Sequence, residues 1–361
     1  MASGRCWGGV RVNDHQFLVM GQCSGRAAGY LMCEYYDNRT QKWEDLPICL
    51  PLRQIVGDRV FVTGGFWDIS FSTNFGVASV DDTIYVMGGW DFTFSGRSQS
   101  DLIAIEVSNG DLSTLASSRT NWKRLAPMNY PRAFFACVSH SKFIYVFGGS
   151  AFASLERIPE IPEVYDTETN EWTTLPNMPG GARHSCAAGV VGDKIYIVGG
   201  RDENDTAMAS TLVFDTCTHQ WERTCSNEDN YTDDDASETS SILSAGVIVP
   251  PVPDMNTKRS RLSVVVVDEF VFAIGGRDEN NDVLSSIEVL DTHSNSWTYA
   301  QASMKNGRAD PVVGFCFEGY HQQVYCGGRD LQWRCNAANQ CRLDKGALGY
   351  YSKTHSSSSI W

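Results

Sequence analysis

The feature that most constrains this chain is a fixed interval. An aspartate is followed six residues later by a tryptophan, four times: Asp37–Trp43, Asp166–Trp172, Asp215–Trp221 and Asp291–Trp297. In three cases the pair closes a longer phrase. FIYVFGGS leads to EVYDTETNEW within 143–172, IYIVGGR to LVFDTCTHQW within 195–221, and FVFAIGGR to EVLDTHSNSW within 270–297. A weaker copy, FLVMGQC to EYYDNRTQKW, covers 17–43. Spacing kept this strictly means one supersecondary unit used repeatedly.

The physics of the unit follows from its residue types. The run before the glycines is β-branched and aromatic, which suits a buried strand. The glycine pairs end it where the backbone needs positive φ or a close neighbour. These pairs are Gly88–Gly89, Gly148–Gly149, Gly199–Gly200, Gly275–Gly276 and Gly327–Gly328. The run ending in Asp is the next strand, and Asp-Thr-x-Thr/Ser-Asn is turn chemistry. The tryptophan opens a further strand, and its ring is expected to lie over the bare glycine backbone. One more strand candidate precedes each glycine run, as in FFACVSH (134–140) and CAAGVVG (186–192). Each unit of roughly 50 residues is thus four short antiparallel strands.

The order Gly-Gly, Tyr-Asp, Trp resembles the kelch repeat, whose unit is one four-stranded blade of a β-propeller. The resemblance implies an all-β fold, a kelch-type β-propeller of six or seven four-stranded blades, some degenerate. The propeller is expected over 1–344, with 345–361 as a flexible Ser-rich tail. Between blades, 226–258 contains SNEDNYTDDDASETSS and VPPVPD, an acidic insertion too polar to fold alone and expected to be a disordered loop.

Irregular units set the limits of this count. VFVTGGFWD (60–68) ends only 24 positions before Gly88 counted from Gly64, too short an interval for a blade, and reads as a damaged unit. SNGDLSTLASSRTN (108–121) reads as a lengthened hairpin in the third unit. The first unit has its own inner strand, GVRV (9–12), and the last lacks its outer markers. How the ring closes is therefore left open.

Bulk properties narrow the partners. The formal charge of −14 argues against nucleic acid or an anionic membrane as the main partner. No apolar run approaches the ~20 residues of a membrane span. MASGRCWGGV has no apolar signal core, and the 12 cysteines have no framework spacing, so a reduced cytoplasmic or nuclear setting is expected. No cysteine or histidine pattern has a metal-site spacing, and no phosphate-loop or dinucleotide motif is present. The reading therefore assigns no catalytic residue, no metal and no cofactor.

Candidate binding residues come from strand order. With strands labelled a to d from the axis outward, the b–c loops and d–a connections emerge on one face. The b–c loops carry Arg201, Arg277 and Arg329, and the d–a connections carry Arg132, Arg183 and Arg308. Arginine forks match carboxylates, so this face is expected to bind a protein or peptide, with an acidic one as the candidate. The competing expectation is that each arginine pairs with its own neighbours. In kelch propellers that capture degron peptides, arginines at the start of the inner strands line the pocket. That resemblance reaches Arg132, Arg183 and Arg308. Asp233, Asp234 and Asp235 of the insertion share the face and are a candidate internal ligand.

Two function classes result. The favoured one is a non-catalytic interaction scaffold, with a substrate-recognition subunit of a ubiquitin ligase whose adaptor is a separate chain as one candidate role. The alternative is a sugar-modifying enzyme resembling the sialic-acid epimerases, working at the channel mouth.

Overall fold

The computed structural model describes residues 4–12, 16–23, 31–37, 39–40, 42–46, 53–56, 59–62, 72–91, 97–107, 122–151, 160–222, 252–301, 303–304, 306–311, 313–318, 321–326, 333–335, 340–343 and 350–352. Among these, every regular element is a strand. Sheet I runs Gly4–Arg11, Gln16–Cys23, Leu31–Asp37, Lys42–Leu46. Sheet II runs Gly76–Val80, Thr83–Met87, Leu102–Glu106, Lys123–Leu125. Sheet III runs Ala136–His140, Phe143–Phe147, Glu163–Asp166, Glu171–Thr174. Sheet IV runs Ala187–Val191, Lys194–Val198, Thr211–Asp215, Gln220–Trp221. Sheet V runs Ser263–Val267, Phe270–Ile274, Ile287–Asp291, Ser296–Tyr299. Sheet VI has a fifth strand: Val313–Glu318, His321–Cys326, Trp333–Cys335, Gln340–Leu343, Tyr350–Ser352.

The expected propeller is present, and among the described residues it has six blades. Each inner strand packs against its neighbours in the order I, II, III, IV, V, VI, and that of VI returns to the first two strands of I. Sheets I and VI are each built from consecutive strands, so the ring closes without exchanging strands between the two ends of the chain. The unit expected around VFVTGG does not enter the ring. Arg53–Val56 and Arg59–Val62 form a two-stranded sheet of their own, and sheet I packs directly on sheet II. Val12, Leu18 and Tyr35 of I share one core with Val77, Ile84 and Ile105 of II, which leaves no room between them.

The second strand explains the near-continuous apolar runs. In sheets II to V it has the same burial pattern, one partly exposed residue and then four buried ones. Both of its faces are covered because each sheet is sandwiched between two others, so alternation gives way to a solid apolar run. The cores lie between sheets. Tyr85, Met87 and Leu102 of II pack with Ile144, Val146 and Tyr165 of III. Phe147 of III meets Phe214 of IV edge-on, with ring centroids 6.0 Å apart. At about 1.5–3 kcal/mol for each fully buried large apolar side chain, these shared cores are the main cohesion of the ring.

The glycine pairs adopt positive φ as anticipated, for example 67° and 102° at Gly148 and Gly149. What covers them is not tryptophan. A Cβ at Gly88 would meet the Arg132 carbonyl, Met128 and Phe135, and one at Gly275 the Arg308 carbonyl and Met304. The tryptophans sit on the outermost strand, opposite the residue before the aspartate: Trp43 by Tyr36, Trp172 by Tyr165, Trp221 by Phe214, Trp297 by Leu290. Trp172 Nε1 donates to the Ala126 carbonyl and Trp221 Nε1 to that of Pro176, each 2.9 Å away in the connection leading into the same blade. The fixed Asp-to-Trp interval is therefore a hairpin length. The Asp166 carboxylate accepts the amides of Glu168 and Thr169, turning the chain so that the tryptophan lands in register. Gly327 and Gly328 lie outside the described residues, as do the insertion through position 251 and the segment 353–361.

Candidate functional site: the channel mouth

The connections into sheets III, IV and V repeat the same fastening. A methionine comes first and an arginine follows: Met128 and Arg132, Met178 and Arg183, Met255 and Arg259. The arginine carbonyl accepts from the second glycine of the preceding sheet: Gly89 to Arg132, Gly149 to Arg183, Gly200 to Arg259, Gly276 to Arg308, all at 2.7–2.9 Å. The guanidinium turns the other way, into its own sheet, and donates to the first glycine's carbonyl. Arg132 reaches Gly148 (2.8 Å), Arg183 reaches Gly199 (3.2 Å) and Arg259 reaches Gly275 (3.0 Å). The arginine is thus a staple between consecutive blades.

These staples are interior. Arg132, Arg183 and Arg259 have at most 1% of their surface exposed. Glu163 and Glu288, themselves fully buried, neutralise the first and third at 2.7 and 2.9 Å. The same carboxylates accept backbone amides of the connection, Asn129 and Tyr130 in one case, Asn256 and Thr257 in the other. Sheet IV departs from this pattern. Leu212 occupies the register of the two glutamates, and Pro179, which has no N–H to offer, follows Met178. Arg183 is left with the Gly199 and Ser210 carbonyls and the Ser210 hydroxyl at 3.2–3.3 Å. Burial pushes its pKa downward, with the nearby Cys186 and Asp254 opposing.

Arg132 and Arg183 were expected to meet a partner, and that expectation is corrected: both guanidinium groups lie inside the blades. Arg308 is half-buried, and its carbonyl keeps the staple register. Arg201 lies at the rim and is largely committed. It donates through Nε to Ser260 Oγ (3.1 Å) and through Nη1 to the Asp205 carbonyl (2.6 Å), and it pairs with the Asp205 carboxylate (3.3 Å). Arg277 donates to the Asn281 carbonyl (2.7 Å). Arg329 lies outside the described residues. The loop 201–206 carries one arginine and three acids, net −2, and so does 277–282. These two loops are acidic, where an arginine-rich face had been expected.

The residues that do face the channel lie two positions after Arg132, Arg183, Arg259 and Arg308, with Asn74 at the corresponding place before sheet II. Asn74, Phe134, Ser185, Arg261 and Asp310 all have left-handed backbones, with φ of 57°, 57°, 56°, 53° and 49°. Phenylalanine, serine and arginine seldom adopt that region, so surrounding structure imposes it. The cause is a chain of main-chain hydrogen bonds from blade to blade. Phe134 N donates to Asn74 O (3.1 Å), Ser185 to Phe134 (2.7 Å), Arg261 to Ser185 (2.8 Å) and Asp310 to Arg261 (2.7 Å). These five residues line the mouth of a channel of about 210 Å³, whose wall is made by inner-strand residues such as Val77, Cys137 and Val264. Sequence inspection missed this ring because its members share no residue type. The missed Arg259 had a visible signal: it stands 16 residues before Gly275, as Arg132 does before Gly148 and Arg183 before Gly199.

The electrostatics of the mouth are local. Arg261 and Asp310 form an ion pair across adjacent blades. His184 Nδ1 lies 3.0 Å from Ser185 Oγ, and its Nε2 lies 3.5 Å from the Asp205 carboxylate. Burial holds the His184 pKa below the ordinary histidine value; Asp205 opposes the shift and Arg201 reinforces it. The unfolded chain therefore binds this proton more readily than the folded one. The stability His184 contributes is complete above the unfolded value and is lost as pH falls through the folded one. Urea midpoints should fall between pH 7 and 5 more steeply in the wild type than in His184→Gln, and parallel curves would contradict this origin. Desolvation pushes the half-buried Cys137 thiol, which donates to the Val77 carbonyl at 3.3 Å, up to about 12, so it stays protonated.

Comparison with known proteins agrees with this architecture. A family model described as the KLHDC2/KLHL20/DRC7 Kelch-repeats domain matches residues 10–249 and 136–347. Kelch-like protein 15 of Danio rerio is 38% identical over 115 residues, 30% of this chain and 18% of that protein. Its Homo sapiens counterpart is 36% identical over the same shares. Kelch-like protein terF of Aspergillus terreus is 26% identical over 253 residues, 66% of this chain and 47% of that protein. The matched region thus spans between 18% and 47% of these relatives' own length. With six blades, a repeated arginine staple and a family match running from residue 10 to 347, the chain belongs to the kelch-repeat family.

Proposed function

We propose that the protein is a non-catalytic interaction scaffold that receives a segment of a partner protein at the channel mouth. One observation carries this reading. Five consecutive blades present a side chain at the same backbone position, and the main-chain ring beneath them is constant while the side chains are Asn74, Phe134, Ser185, Arg261 and Asp310. A fixed frame with varied display is what recognition needs, because each position can change without disturbing its neighbours. The sugar-modifying alternative drew its support from Arg132, Arg183 and Arg308 at the mouth, and the first two have no surface there. In the same reading the propeller serves as the recognition part of a larger assembly, such as a ubiquitin ligase with a separate adaptor.

The test is binding of an affinity-captured partner to purified variants. Phe134→Ala combined with Arg261→Ala should weaken that partner at least about tenfold, as two adjacent interface contacts commonly do. Lys142→Ala, at a turn on the opposite face, should leave affinity unchanged. Equal affinity across all three proteins would remove the mouth from consideration.

A further inference from the structure

The mouth already contains its own neutralised arginine. Arg261 and Asp310 side chains are 37% and 33% exposed, and both line the channel. A lone carboxylate from a partner competes with Asp310 for the Arg261 guanidinium, and taking its Nη2 displaces Asp310. That acid is then left half-buried without its cation, which cancels much of the gain. The surrounding b–c loops add a second cost. Two of them, 201–206 and 277–282, are each net −2, and within a screening length of about 8 Å they repel a partner of net negative charge. A pair of adjacent basic and acidic side chains avoids both costs. Its base takes Asp310, its acid takes Arg261, and no charge is stranded. Phe134, half-buried at the same ring position two blades before Arg261, adds an aromatic side chain to the same channel lining.

We propose that the mouth selects a peptide segment carrying adjacent acidic and basic side chains, net neutral to basic, and discriminates against a purely acidic one. The proposal rests on the reading of the mouth as an interaction site. It differs from the acidic partner expected when six arginines were placed on this face.

The test uses four acetylated, amidated octapeptides, Gly-Ser-Phe-X-Z-Phe-Ser-Gly, with X-Z as Asp-Arg, Asp-Asp, Arg-Arg or Asn-Gln. Binding to the full chain is followed by fluorescence anisotropy at about 150 mM salt, near the ionic strength where screening is set by an 8 Å length. The Asp-Arg peptide should bind the wild type about fivefold or more tighter than the other three, the scale of one or two exposed charge contacts. In Asp310→Asn, Asp-Asp should overtake it. In Arg261→Gln, Arg-Arg should do so. Equal binding of Asp-Asp and Asp-Arg to the wild type would overturn the inference, and so would an unchanged ranking in Asp310→Asn. Failure of the three charged peptides to exceed Asn-Gln would also overturn it. That last result leaves the scaffold reading standing or falling on the captured-partner measurement, which does not depend on these peptides.

Discussion

Arg132→Met is expected to destabilise the propeller by about 3–5 kcal/mol, because it strands the fully buried carboxylate of Glu163. The carboxylate keeps the amides of Asn129 and Tyr130 but loses its only buried cation in contact. Arg183→Met supplies the comparison within the same molecule. Its register position opposite the guanidinium is Leu212, so removal strands no charge and leaves only the Gly199 and Ser210 oxygens short of donors. That change should cost about 1–3 kcal/mol, the range for unsatisfied neutral groups. The double replacement Arg132→Met with Glu163→Leu should recover much of the loss of the single one. Urea denaturation of the wild type and the three variants measures all of this. If Arg132→Met and Arg183→Met have equal midpoints, the paired charge in sheet III is not what distinguishes the two staples.

Gly88→Ala is expected to cost about 2–4 kcal/mol, combining a left-handed backbone with a backbone collision. At φ +61° the new Cβ would lie 2.6 Å from the Arg132 carbonyl, the oxygen that also accepts the Gly89 amide. Neither side can yield cheaply, since moving that carbonyl breaks the link between sheets II and III. Gly180→Ala isolates the backbone contribution alone. Its φ is +74°, but nothing lies within 4 Å of the added carbon. It should therefore lose only about 1–2 kcal/mol. Thermal and urea midpoints that rank Gly180→Ala as the more damaging change would show that close approach is not the reason for the glycine pairs.

Much of the fold was legible because the repeat carries its own ruler. The six-residue step from Asp166 to Trp172 is a hairpin closed by an aspartate that accepts the amides beyond it. Such local chemistry is written in adjacent residues and survives in any copy. The apolar run Phe143–Phe147 was equally readable, because burial on both faces leaves no polar position to alternate with. The tryptophan's partner was not readable. Its Nε1 acceptor, the Ala126 carbonyl, is 46 residues away and belongs to no motif.

The candidate site was legible only in part, and the arginines show why. Their spacing marked Arg132 and Arg183 as equivalent, but a spacing does not say which way a long side chain turns. That depended on the buried acceptors waiting inside the blade, the Gly148 carbonyl and Glu163 for one and Gly199 and Ser210 for the other. By itself the sequence determined the blade, its four strands, its hairpin and its glycine stop, all set by interactions within one repeat. Only the tertiary structure decided that six blades form the ring, that the Arg53–Val62 hairpin stays out of it, and that Asn74, Phe134, Ser185, Arg261 and Asp310 meet at the mouth. Those outcomes depend on how one sheet packs against the next, and the contacts that govern packing join residues tens of positions apart that no local pattern records.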